Sequence, residues 1–139
     1  MFFKKVSLGY IVRLETGDEV ISTLSNFFEK QKIPGGLLYG LGAVKDATLG
    51  YFDLEKKEYL KKTFNEEYEI SSFVGNIYYF EGKPGVHAHV TLSGKDFNVI
   101  GGHLFSATIT GTGEFFIYVS DDILERKKDS QTGLNLLDL

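Results

Sequence analysis

The sequence predicts an α+β fold: one bent, mostly antiparallel mixed sheet of about seven strands, with one main helix packed on it. Three observations lead there. Residues 6–14 alternate between apolar and other side chains, the period of a strand with one buried face. A single later stretch, 18–32, repeats its apolar residues at helical spacing. From Leu37 onward, apolar runs of strand length are cut by clusters of turn residues.

In the first strand Val6, Leu8, Tyr10, Val12 and Leu14 face one way, and Ser7, Gly9, Ile11 and Arg13 the other. Thr16-Gly17-Asp18-Glu19 then reads as a capping box, with Thr16 as N-cap and Glu19 three residues on. Behind it Val20, Ile21, Leu24, Phe27 and Phe28 make an apolar stripe. That stripe predicts an amphipathic helix from about Asp18 to Lys32, ended by Pro34-Gly35-Gly36. Strands are expected over Leu37–Tyr51, Glu58–Thr63, Glu69–Phe80, Val86–Leu92, Asn98–Ile109 and Glu114–Ser120. Gly82–Gly85, Ser93–Asp96 and Gly111–Gly113 read as the turns between them. Glycines inside apolar runs, such as Gly40, Gly42 and Gly50, mark bulges or close backbone approach. The chain reads as one domain over residues 1–139, with a core from about 6 to 120 and a polar tail over 121–139. Leu134–Leu137 of that tail is expected to dock on the domain or on a neighbouring subunit.

Composition narrows the function. A chain of 139 residues buries roughly two thirds of its unfolded surface and needs no covalent staple. It has no cysteine, hence no thiolate nucleophile and no cysteine zinc finger. No run nears the roughly 20 apolar residues of a membrane span, and Met1-Phe2-Phe3-Lys4-Lys5 is no secretory leader. A cytoplasmic protein is expected. The net charge is −4, and only Arg13 and Arg126 of the 15 basic residues are arginine. That disfavours duplex DNA, which is bound through phosphate neutralisation and read largely by arginine. Lys56-Lys57 and Lys127-Lys128 sit beside acidic residues, Lys61-Lys62 lies between Glu58 and Glu66, and all three pairs read as solvated surface. No glycine-rich phosphate loop is present. Arg13, opposite the apolar row, is expected to pair with a surface carboxylate.

All three histidines lie between Val86 and Leu104. His87 and His89 form an H-x-H pair within a predicted strand, so both point to one face, about 7 Å apart along the strand. His103 follows Gly101-Gly102 on the next predicted strand, a hairpin neighbour. The paired glycines allow close backbone approach and aim His103 at the same point. Three imidazoles without cysteine suit zinc or another divalent transition metal, with a fourth position open to water or a small anion. Glu69 and Glu114 are candidates to orient the rings. Tyr51, Tyr78, Tyr79, Phe80 and Phe97 can line a pocket, although aromatic residues in strands more often form core. No H-E-x-x-H motif and no G-x-S-x-G elbow supplies a catalytic group.

The combination Gly85-Val-His-Ala-His-Val90, Gly101-Gly-His-Leu104 and a final strand opening at Glu114 resembles the Plants and Prokaryotes Conserved domain. Tyr10–Leu14, Gly40–Val44 and Glu69–Ile77 match it as well, so the resemblance runs from Tyr10 to about Ser120. It implies a compact α/β domain that assembles as a homotrimer. It implies that His87, His89 and His103 match the zinc-binding positions of some prokaryotic members. It also brings a predicted DNA-binding label, although the R-G-R-P element that reads DNA in plant members is absent from this chain. The leading reading is a metal-binding homotrimer whose biological role stays open, more a binding protein than an enzyme. The alternatives are a DNA-associated regulatory protein and a metal-dependent hydrolase.

Overall fold

A computed structural model describes residues 1–139. Its elements run β1 (Phe2–Val6), β2 (Gly9–Glu15), α1 (Val20–Gln31), β3 (Gly36–Asp53), β4 (Glu58–Phe64), β5 (Tyr68–Phe80), β6 (Lys83–Ser93), β7 (Val99–Val119), β8 (Arg126–Lys128) and β9 (Asn135–Leu137). Seven strands form one sheet in the order β1-β2-β7-β6-β5-β3-β4, and β7 also pairs with β3. The extra pairing closes β7, β6, β5 and β3 into a ring. Every ladder is antiparallel, with one parallel bridge between Tyr79 and Glu125. The α+β class and the seven-stranded, helix-packed sheet stand as the sequence predicts. No helix is long and apolar enough to cross a membrane.

The core follows the strand period. Tyr10, Val12 and Leu14 of β2, Phe115 and Ile117 of β7, and Phe73 and Ile77 of β5 are buried, with Val20, Leu24, Phe27 and Phe28 of α1. Phe27 packs edge-on against Tyr10 at 5.3 Å, and Phe73 against Phe115 at 5.1 Å. The helical stripe therefore does what its spacing requires: it closes one face of the sheet.

Four local expectations need correction. The first strand is a hairpin, β1 and β2, with Gly9 opposite Val6. Leu8 consequently lies in the turn and is exposed. The N-cap is Glu19, not Thr16. Its carboxylate accepts from the Ile21 and Ser22 amides at 3.1 and 2.7 Å. Residues 17 and 18 are committed to the sheet first: the Gly17 amide donates to Ile109 O, and the Ile109 amide to Asp18 O. Thr16 instead donates its hydroxyl to Thr110 O at 2.8 Å. Gly111–Gly113 is no turn. Thr112 and Gly113 pair with β2, and Gly113 also with Gly42 of β3, so β7 runs unbroken for 21 residues. A Cβ on Gly42 would lie 2.2 Å from Thr112 O, which explains a glycine where three strands crowd. Finally, the β5–β6 turn is Glu81-Gly82, both with positive φ, the two-residue loop that suits strand twist.

The cap gives a first expected outcome. Glu19→Ala should lower stability by about 1 kcal/mol, read as a lower urea midpoint with unchanged m-value. The same carboxylate also accepts from the Ala107 amide at 3.3 Å, so the loss reaches the sheet as well as the helix.

Candidate metal centre

Strand alternation sends Val86, Ala88 and Val90 of β6 into the core. His87 and His89 therefore emerge on the opposite face. His103 of β7 lies directly across from His89. Its approach depends on the two preceding glycines. A Cβ on Gly101 would come within 2.8 Å of Val90 O, and one on Gly102 within 2.8 Å of Gly50 O. Without side chains there, β6 and β3 close on β7 from both sides.

The three rings converge as expected. Centroids are 5.3 Å apart for His87–His89, 5.1 Å for His87–His103 and 5.6 Å for His89–His103. One ring nitrogen from each lies within 4.8 Å of the others. Burial, assisted by Arg126 and then His89, lowers His87 to a pKa of about 4. Burial also lowers His103 to about 4, with His87, His89, Arg126 and Lys61 adding. Both rings are neutral at pH 7, the form that ligates metals. His103 Nδ1 is buried and has no hydrogen-bond partner. A buried polar atom left so is costly, and a cation would satisfy it. The donor set fits a borderline divalent ion.

The histidines open into a cavity of about 880 Å³. One wall is the β3–β4 hairpin, with Tyr51, Phe52, Tyr59 and Lys61; another is the C-terminal segment, with Arg126 and Gly133–Leu136. Tyr59 and Phe105 pack on His103 at 5.0 and 4.7 Å. The tail thus docks on its own chain. The Leu124 amide donates to Pro34 O and the Tyr79 amide to Leu124 O.

Tyr51 and Tyr78 line the cavity as expected. Tyr79 instead donates its hydroxyl to Ile33 O at 3.2 Å, and Phe97 is exposed on the β6–β7 turn. Neither expected orienting carboxylate reaches the histidines. Glu69 pairs with Ser93 at the far end of β6, and Glu114 lies between Arg13 and Leu41. Arg13 has no ion pair; it stacks over Phe2 at 4.9 Å. The residue beside the site is Arg126, whose Nη2 lies 2.6 Å from His87 Nδ1. In the sequence it falls in the polar tail, and its rarity as one of two arginines is the one signal it carries.

Comparison with known proteins agrees with this picture. The model of the Plants and Prokaryotes Conserved (PCC) domain matches residues 2–121. A metal-containing protein from Archaeoglobus fulgidus is 40% identical, with TM-score 0.88 over 100% of this chain and 99% of that one. A plant- and prokaryote-conserved protein from Pyrococcus horikoshii is 34% identical, with TM-score 0.87 over 99% and 95%. A Bacteroides thetaiotaomicron protein, named a "putative DNA binding protein", is 34% identical, with TM-score 0.95 over 99% and 96%. No curated protein matches the chain.

Proposed function

The chain belongs to the Plants and Prokaryotes Conserved (PCC) domain family, and from that premise we propose that it is a cytoplasmic homotrimer binding one divalent metal, zinc, per subunit. The observation that carries the reading is the convergence of His87, His89 and His103, with Nδ1 of His103 buried and unpartnered. An all-nitrogen set of three imidazoles suits zinc, which three-histidine sites hold with a fourth position open. Bound there, the ion supplies a Lewis acid with a position left for water or a small anion. The A. fulgidus relative, called metal-containing, supports the same reading.

Metal analysis of untagged protein is the test. About one equivalent of zinc per chain, or its stoichiometric uptake on addition, is expected. Less than about a tenth of an equivalent, with no uptake, overturns the reading.

The sheet face away from the helix supports the assembly. Leu37, Tyr39 and Leu41 of β3, Val74 of β5 and Phe116 and Tyr118 of β7 are all about half exposed. They are neighbours by register: Leu37 faces Tyr118, and Tyr39 faces both Phe116 and Val74. A contiguous apolar face of this kind calls for protein cover. Sedimentation should give three times the 15.6 kDa chain mass; a monomer refutes the assembly.

A second reading, DNA binding, comes with the name of the B. thetaiotaomicron protein. It requires measurable affinity for duplex DNA at low salt, where phosphate contacts are strongest. Absence of binding there ends it. The net charge of −4 favours that outcome.

A further inference from the structure

The cavity wall has the opposite charge to the chain. Lys57, Lys61 and Arg126 line it against a single carboxylate, Glu58. None of the three cations is ion-paired; the chain's ion pairs engage the N-terminal amine, Lys56 and Lys127. Lys61 Nζ sits 3.8 Å over the Phe105 ring, and Lys57 Nζ donates to Ser130 O.

Arg126 is the most confined. Its guanidinium stacks 4.7 Å over Tyr78. Nη1 donates to Asn135 O at 2.6 Å, and Nη2 donates to Asn76 Oδ1 at 3.1 Å. Nε is buried without a partner. A half-buried cation with a free donor and no counter-charge is costly. Its Nε–H and Nη2–H lie on one edge, the fork that takes two oxygens of a carboxylate or phosphate.

We propose that the cavity binds a small organic oxyanion. Its carboxylate or phosphate is held by the Arg126 guanidinium at the cavity wall, and its apolar body lies among Tyr51, Tyr59 and Leu136. The proposal rests on the metal-binding reading of the same cavity. A His87 ring that takes a cation on Nδ1 no longer accepts from Arg126. One that takes it on Nε2 carries its proton on Nδ1, with the same result. Either way Nη2 is released toward an anion, so metal and anion should favour each other.

The test is a titration of the isotope-labelled full chain, zinc-loaded and metal-free, followed by NMR. The probes are benzoate, phenyl phosphate and, as neutral control, benzyl alcohol. Saturable shifts at the cavity are expected from one or both anions, the tighter one naming the head group, and none from benzyl alcohol. Zinc should tighten binding. Arg126→Gln should weaken it at least 10-fold when the two proteins are compared at equal zinc occupancy, set by mass spectrometry, and again when both are metal-free. Arg126→Lys, which keeps the charge but loses the fork, should fall between. Anion binding that is equal in wild type and Arg126→Gln, or matched by benzyl alcohol, overturns the proposal. So does a duplex oligonucleotide that shifts the same resonances. If the protein takes up no zinc, the metal reading fails separately, and the Arg126→Gln comparison on metal-free protein still decides the anion site.

Discussion

His103→Ala should abolish stoichiometric metal uptake while leaving a folded protein. Its ring stands 5.1 and 5.6 Å from those of His87 and His89, so it closes the donor set from the facing strand. Loss of an outer-shell partner alone costs about 10–100-fold in metal affinity. Loss of one ligand of three should exceed that and take the stoichiometry from one to near zero. The packing lost on Tyr59 and Phe105 is partly offset, because His103 Nδ1 is buried without a partner and its burial is a cost. The discriminating measurement is a thermal melt with and without zinc. Wild type at 100 times its Kd should gain about 2.7 kcal/mol by mass action, and the variant should gain nothing. A variant that still binds one equivalent would show that the three imidazoles are not the site.

The largest loss of stability is expected from Phe115→Ala. This ring is fully buried and meets Phe73 edge-on at 5.1 Å. It also covers Gly40, where a Cβ would come within 2.4 Å of its Cδ1. The residue pairs with Val12 of β2 and with Gly40 of β3, so the void opens where three strands meet. Removing a buried phenylalanine costs about 3–5 kcal/mol, a large part of the usual 5–15. The urea midpoint should fall accordingly, and Phe115→Leu should recover much of it. A loss below about 1 kcal/mol would mean that the site collapses and refills.

Much of the fold and of the histidine site is legible in the amino-acid sequence. Alternation in Tyr10, Val12 and Leu14 and the helical spacing of Leu24, Phe27 and Phe28 report burial directly, because burial is what selects those patterns. The histidine cluster was legible for a similar reason. Two-residue periodicity fixes the shared face of His87 and His89, and Gly101-Gly102 signals close approach. What failed was chemistry with two structural uses. Thr-x-x-Glu fits a capping box, but pairing with β7 delays the helix and makes Glu19 the cap. Gly-Thr-Gly fits a turn, but it equally fits a strand crowded on both edges. Arg126 could not be found by spacing. It reaches His87 from 39 residues away, through a tail whose path is set by isolated backbone bonds rather than by any periodic pattern.

The ring of strands has a consequence for how the chain comes to fold. Both β2 and β3 find their partner in β7, Val12 with Phe115 and Gly36 with Val119. These pairings span most of the polypeptide, and such non-local closure is slow, on the order of milliseconds to seconds. During synthesis the early strands must wait, edges open, until the closing strand leaves the ribosome. Refolding from denaturant should therefore be much slower than for a helical protein of equal length, and this waiting period is when the chain is most exposed to aggregation.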